Sequence, residues 1–151
     1  MTVKTSYENG VLTVSRSYDH PQKAVFAAWI EAGQTQEWWG CANTTQVASQ
    51  IDPRVGGIYE HAMTIKGVGV HPIQGTFTAF DPPNHLAYEM PGMSPSEKMH
   101  VSVTFTETDG TTLVTLTQSV VPDQFGAIVQ AGWTASFDRL GRYFNGERRA
   151  A

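Results

Sequence analysis

The sequence predicts an α+β domain in which one curved antiparallel sheet of six to seven strands carries a long C-terminal helix. Three observations predict it. From Thr44 to Val120, short runs of β-type residues alternate with turn signals. After Pro122, an apolar stripe recurs at helical spacing. The helical signals also flank the strands instead of interleaving with them, which is the α+β arrangement.

The elements follow in order. Val11 to Ser17 alternates as a half-buried strand does, and Glu8-Asn9-Gly10 before it is a turn signal that places Val3 in a preceding strand. Asp19-His20-Pro21 starts a helix with Pro21 at its first position and Val25, Phe26 and Trp29 on one stripe. Gly33 ends that helix, and Gln34 to Trp39 form a second short one. Gln46–Ile51 is a strand running into Asp52-Pro53-Arg54-Val55-Gly56-Gly57, a turn or bulge in which two glycines accept unusual backbone angles. Strands are then expected at Ile58–Lys66, Ile73–Asp81, His85–Glu89, Met99–Thr106 and Thr112–Val120. Turns separate them at Lys66-Gly67-Val68-Gly69, Asp81-Pro82-Pro83-Asn84, Pro91-Gly92-Met93-Ser94-Pro95 and Asp109-Gly110. Asp123 is the expected N-cap of the long helix, whose stripe is Ile128, Trp133, Phe137, Leu140 and Phe144. A single domain spanning 1–151 is expected, since no linker or repeat interrupts the pattern.

Composition excludes several function classes. The 151 residues hold 10 Lys+Arg against 14 Asp+Glu, a net charge of -4, so the basic stripe of a nucleic-acid protein is not expected. No long apolar run predicts a membrane span and no leader pattern opens the chain, so a soluble, cytoplasmic protein is expected. The single Cys41 rules out an intrachain disulfide. Charged residues make up only 16%, below the roughly 25% of ordinary domains, while aromatics reach 11%. That balance suits a protein with an apolar internal surface.

Several segments together resemble a known family: Val14-Ser15-Arg16, Val25-Phe26-Ala27-Ala28-Trp29, Trp38-Trp39-Gly40, the Asp52 to Gly57 turn, Gly75-Thr76-Phe77, Asp81-Pro82-Pro83 with Leu86, and Gly132-Trp133 with Leu140. In this collinear order, from about residue 11 to 145, the chain is similar to bacterial relatives of the heat-shock-protein ATPase activator homologue family. That family lies within the SRPBCC, START-like or Bet v allergen-like superfamily. The resemblance implies a helix-grip fold, a sheet curved around the C-terminal helix with a cavity between them that often takes apolar small molecules. Members include ligand carriers, cyclases and co-chaperone domains, so fold is implied more securely than function. The second, N-terminal domain of the eukaryotic activator is not expected in a chain of this length.

One helix cannot fill the concave side of such a sheet. Apolar cavity costs about 24 cal/mol per Å³, so a dry void of roughly 300 Å³, at the small end of ligand pockets, would cost ~7 kcal/mol. That rivals a domain's whole stability of about 5–15 kcal/mol. The interior must therefore be hydrated, plugged or occupied.

The residues expected to line it are Trp38, Trp39, Tyr59, His61, Met63, Phe77, Met90, Trp133 and Phe137. The resemblance puts Trp38-Trp39 at the cavity mouth. These aromatics either stack a flat ligand or plug a closed core, and Met63, Met90, Met93 and Met99 either line a pocket or fill gaps. His61 shares the expected inner face with Tyr59 and Met63. It could bind a carboxylate or hydroxyl, shuttle protons with Tyr59, or be an inert bonded histidine. A register flip at Gly56-Gly57 would turn Glu60 inward instead.

No metal site is expected from His20, His71, His85 and His100, and no cofactor loop is present, since Gly67-Val68-Gly69 lacks the Lys-Ser/Thr of a phosphate-binding loop. Cys41 has no sequence-adjacent Lys or Arg and is expected to be structural. Arg139, Arg142, Arg148 and Arg149 are expected on the last turns of the terminal helix as a solvated, dipole-compensating end. The leading functional expectation is binding of a mostly apolar small molecule. The alternatives are a cyclase- or dehydratase-like enzyme using His61 and Tyr59, or a chaperone-partner role, and a homodimer is compatible with all three.

Overall fold

The computed structural model describes residues 2–92 and 96–148. The order is β1 (Lys4–Glu8), β2 (Val11–Tyr18), α1 (Gln22–Ile30), α2 (Ala32–Trp38), β3 (Thr44–Ile51), β4 (Ile58–Ile65), β5 (Gly69–Asp81), β6 (His85–Pro91), β7 (Lys98–Thr108), β8 (Thr111–Ser119) and α3 (Gly126–Phe144). All strands join one antiparallel sheet in the order β1-β2-β8-β7-β6-β5-β4-β3. Eight strands replace the six to seven expected, because the short N-terminal segment pairs along its whole length with β2. The α+β class and the long terminal helix are as expected. No helix among the described residues is long and apolar enough to cross a membrane.

Two hairpins rest on two-residue turns, Asn9-Gly10 and Asp109-Gly110, with positive φ at both positions. That is the type I′ geometry whose twist matches the flanking strands. Alternation along β4, β7 and β8 is regular, so Tyr59, His61 and Met63, then Met99, Val101, Val103 and Phe105, then Val114, Leu116 and Gln118 all face inward. The Asp52 to Gly57 turn lies outside the strand, so β4 keeps its register and Glu60 points away from the core. The bulges lie elsewhere, between Thr44 and Gln46 and between Phe77 and Ala79. The second one lets Phe77 and Phe80 meet on one side, ring centroids 5.4 Å apart.

The helices differ from expectation in three places. Pro21 is the N-cap of α1, not its first residue, and its carbonyl accepts from the Ala24 and Val25 amides. Glu31, not Gly33, separates the two helices: it is extended, closes α1 through Ala27 and opens α2 through Gln34 and Thr35. Gly33 lies inside α2. At the C-terminus, Asp123 opens a single 3-10 turn, Asp123–Phe125, and its carboxylate accepts the Tyr7 hydroxyl instead of capping α3.

The buried stripe of α3 is Gly126, Trp133, Ser136, Phe137, Leu140 and Gly141. Ile128 is 70% exposed. Five residues from Trp133 places it about 140° around the helix from that side chain. Two donors from β2, Arg16 at 3.1 Å and the Tyr18 hydroxyl at 2.8 Å, meet the Phe137 carbonyl and seat α3 on the sheet.

Gly75 makes a close approach work. It sits between Tyr59 and Tyr88, where a Cβ would lie 2.9 Å from both the Tyr59 carbonyl and the Tyr88 ring. Gly132, on α3, has open space around it. Gly75→Ala is expected to lower unfolding free energy by about 1–3 kcal/mol through overpacking. Gly132→Ala is expected to raise it by about 0.5–1 kcal/mol through helix propensity. Urea titration of both variants measures the two shifts.

Candidate functional site

Between the sheet and α3 lies a continuous cluster of rings. Trp29 of α1 is its hub, with centroids 4.8 Å from Trp38, 6.0 Å from Trp39, 6.1 Å from Phe105 and Trp133, and 5.9 Å from Phe137. Trp39 carries the contact across to the sheet: it stacks on His61 at 3.8 Å and meets Tyr59 at 5.7 Å. Tyr59 then contacts Phe77 at 4.8 Å and Tyr88 at 4.9 Å. Edge-to-face and offset contacts of this kind add about 0.5–1.5 kcal/mol each beyond area burial.

Some polar atoms in this cluster are satisfied. The Trp38 indole donates to the Ala28 carbonyl at 3.0 Å, and the Trp133 indole donates to Gln118 Oε1 at 2.7 Å. The Tyr59 hydroxyl donates to the Trp29 carbonyl at 2.6 Å. Burial, reinforced by the neighbouring Tyr88, pushes the Tyr59 phenol well above its ordinary range, so it stays protonated.

Three others are not. Trp29 Nε1, His61 Nε2 and Tyr88 Oη are buried with no hydrogen-bond partner among the described residues. Leaving such a group unpaired costs about 1–3 kcal/mol. The three are joined ring to ring, Trp29 to Trp39 to His61, then through Tyr59 at 4.5 Å to Tyr88. Arg16 Nε, on the β2 side of α3, is a fourth unpartnered atom.

The other face of His61 is organised. Its Nδ1 lies 2.9 Å from Ser49 Oγ on the neighbouring strand β3. Ser49 Oγ in turn accepts from Thr35 Oγ1 of α2 at 2.7 Å, and Gln36 Oε1 holds the Ser49 amide at 3.1 Å. Burial pushes the His61 imidazole down to about 3, so it is neutral across the physiological range.

A latch beside Trp39 ties the following loop to α3. Ser136 Oγ donates to the Gly40 carbonyl at 2.7 Å and accepts from the Gly40 amide at 3.1 Å. Arg139 donates to the carbonyls of Ala42 and Thr44. Arg139 thus anchors a loop, and Arg142 pairs with Asp138 at 2.8 Å. α3 ends at Phe144, so Arg148 lies past the helix and stacks on Tyr143; Arg149 lies outside the described residues.

Of the residues named from sequence, Trp38, Trp39, Tyr59, His61, Phe77, Trp133 and Phe137 meet in this cluster. Met63 is buried on the same face as His61, with Thr44 Oγ1 3.9 Å from its sulfur. Met90 is half-buried at the margin, Met99 receives the Gln118 amide, and Met93 lies outside the described residues. Trp29, Tyr88, Ser49 and Thr35 were not among the expected lining residues. Two of them had a usable signal: Tyr88 shares the inner face of its strand with Leu86 and Met90, and Ser49 the face of Val47 and Ile51. Cys41 contacts Thr44 Oγ1 at 3.3 Å. Among the described residues, no three His, Cys, Asp or Glu side chains are grouped to hold a metal ion.

Residues 19–145 match the family model described as Activator of Hsp90 ATPase homolog 1-like protein. Among solved structures, the chain is similar to an AHSA1-like protein from Aeromonas hydrophila, at 27% identity and a TM-score of 0.71, covering 89% of this chain and 92% of that one. A protein from Arthrobacter aurescens superposes with a TM-score of 0.83 at 16% identity, covering 97% and 94%. One from Rhodobacter sphaeroides gives 0.81 at 12% identity, covering 97% and 100%. The last two likenesses concern fold alone. No curated protein matches the chain.

The depressed His61 value has a signed consequence. An unfolded chain takes up the His61 proton near pH 6.5, whereas the folded protein refuses it until about 3. The full contribution is therefore present above about pH 6.5 and is lost as pH falls, at up to about 1.4 kcal/mol per unit. Guanidinium unfolding at pH 7, 5.5 and 4.5 is expected to show this decline, and His61→Phe to show a shallower one.

Proposed function

The chain belongs to the Activator of Hsp90 ATPase homolog 1-like protein family, and from that premise we propose that it binds a small, flat, mostly apolar molecule between the curved sheet and α3. The observation that carries this reading is the set of three unpartnered polar atoms, on Trp29, His61 and Tyr88, inside an otherwise apolar cluster of rings. A core built only for stability gains nothing from a buried imidazole edge without a partner. A ligand with a polar group supplies that partner, and its rings stack on Trp39, Trp133 and Trp29. Beside Trp39, the Gly40 to Thr44 loop is joined to α3 by the Ser136 and Arg139 bonds.

Catalysis in the same interior is the weaker reading. Proton shuttling by His61 and Tyr59 needs a free phenol, and the Tyr59 proton is committed to the Trp29 carbonyl. A chaperone-partner role draws on the family description alone.

Thermal shift and tryptophan fluorescence with neutral bicyclic and tricyclic aromatic compounds test the proposal. A ligand at a hundred times its Kd adds about 2.7 kcal/mol, which raises Tm by roughly 5–10 °C for a chain of this size. The expected result is such a rise together with altered tryptophan emission. If no compound in the set changes either signal up to its solubility limit, the proposal fails.

A further inference from the structure

Resting on the ligand-binding reading above, we infer that the interior recognises its ligand chiefly with hydrogen-bond donors, and that it selects flat ring compounds bearing an uncharged carbonyl, whose oxygen accepts from His61 Nε2–H. The hydrogen-bond geometry around His61 assigns the proton. Thr35 has one hydroxyl proton and two claimants, Ser49 Oγ at 2.7 Å and the Ala32 carbonyl at 3.3 Å. The shorter bond takes it. Ser49 Oγ then accepts from Thr35, and the arrangement that also uses its own proton is donation to His61 Nδ1, 2.9 Å away. An imidazole whose Nδ1 accepts must, when neutral, carry its hydrogen on Nε2. That hydrogen is the buried one without a partner.

The other two unpartnered groups point to the same chemistry. An indole Nε1 can only donate, and the Tyr88 hydroxyl brings a proton of its own. Nearby acceptors are already used: the Trp29 carbonyl by Tyr59, the Ala28 carbonyl by Trp38 and Gln118 Oε1 by Trp133. The unpartnered set therefore holds two groups that only donate, Trp29 Nε1 and His61 Nε2, and one hydroxyl that donates or accepts. A carbonyl oxygen, with two lone pairs and no hydrogen, complements that set better than a phenol or an amine. A carboxylate would also accept, but it would bring a charge beside His61 on β4, whereas the buried unpartnered cationic atom, Arg16 Nε, lies on the β2 side of α3. The stacking of Trp39 on His61 sets the plane of the imidazole, so the donor has a direction as well as a chemistry.

Three naphthalenes of similar size separate the possibilities: 2-acetylnaphthalene, with a neutral carbonyl, 2-ethylnaphthalene, with no acceptor, and 2-naphthoate, with a charged one. The wild-type protein at pH 7 is expected to bind the ketone about tenfold more tightly than either of the others, the discrimination of one well-placed hydrogen bond. In His61→Phe, which keeps a ring against Trp39, the ratio of ketone to ethyl affinity is expected to fall to near one. Ser49→Ala, which cuts the relay outside the ligand, is expected to lower the same ratio and to change the imidazole tautomer.

Long-range nitrogen–proton NMR of His61 in the unliganded wild-type protein reads the tautomer directly. Nε2 protonated supports the inference, and Nδ1 protonated overturns it whatever binds. Tight binding of the ethyl compound with no ketone preference overturns the inference and leaves the ligand-binding reading intact. Stronger binding of naphthoate also overturns it. Failure of all three compounds to bind sinks the reading of the site, and the inference with it.

Discussion

One helix cannot cover the concave face of an eight-stranded sheet, and that mismatch governs the rest of the structure. α3 packs most closely on β1, β2 and α2, where Arg16 and Tyr18 fasten the Phe137 carbonyl and Ser136 fastens Gly40. The remaining span toward β4, β5 and β6 is bridged by side chains, and only the largest reach. Trp29, Trp38 and Trp39, brought in by the two short helices, do this from one side, and Tyr59, Phe77 and Tyr88 from the other. Gly75 gives up its side chain so that two tyrosines can stand together.

An interior assembled this way is apolar in area but not in chemistry. Tryptophan, tyrosine and histidine each bring a polar atom, and a buried polar atom needs a partner. The structure satisfies Trp38, Trp133 and Tyr59 from its own carbonyls and from Gln118. It leaves Trp29, His61 and Tyr88 with theirs open. On the opposite edge of His61, Thr35 and Ser49 form a chain of hydrogen-bonded contacts that ends at Nδ1. On the function proposed above, a ring bonded at one nitrogen and without a protein partner at the other is the asymmetry of a group held for recognition.

Most of the fold was legible in the sequence because it rests on local signals. Alternation marked the inner faces of β4, β7 and β8, and Asn9-Gly10 and Asp109-Gly110 marked the β1–β2 and β7–β8 turns. The misplacements came where tertiary contacts override local ones. Gly33 is tolerated within α2 because the chain break is made by Glu31, and Asp123 meets Tyr7 of β1, a partner more than a hundred residues away in sequence. The sequence also brought His61, Tyr59 and the Trp38-Trp39 pair to notice by composition and face. It could not reveal that the Tyr59 proton goes to a backbone carbonyl, or that Ser49 and Thr35 stand behind His61. Those facts depend on which edge strand pairs with β4 and on where α2 lies against it.

The most direct test of the account is a crystal structure of the protein soaked or grown with 2-acetylnaphthalene. The account predicts the bicyclic ring among Trp29, Trp39 and Trp133, with its carbonyl oxygen about 2.7–3.2 Å from His61 Nε2 and Ser49 still bonded to Nδ1. Density for the ketone only on the outer surface, with the interior rings in their unliganded contacts, would contradict it.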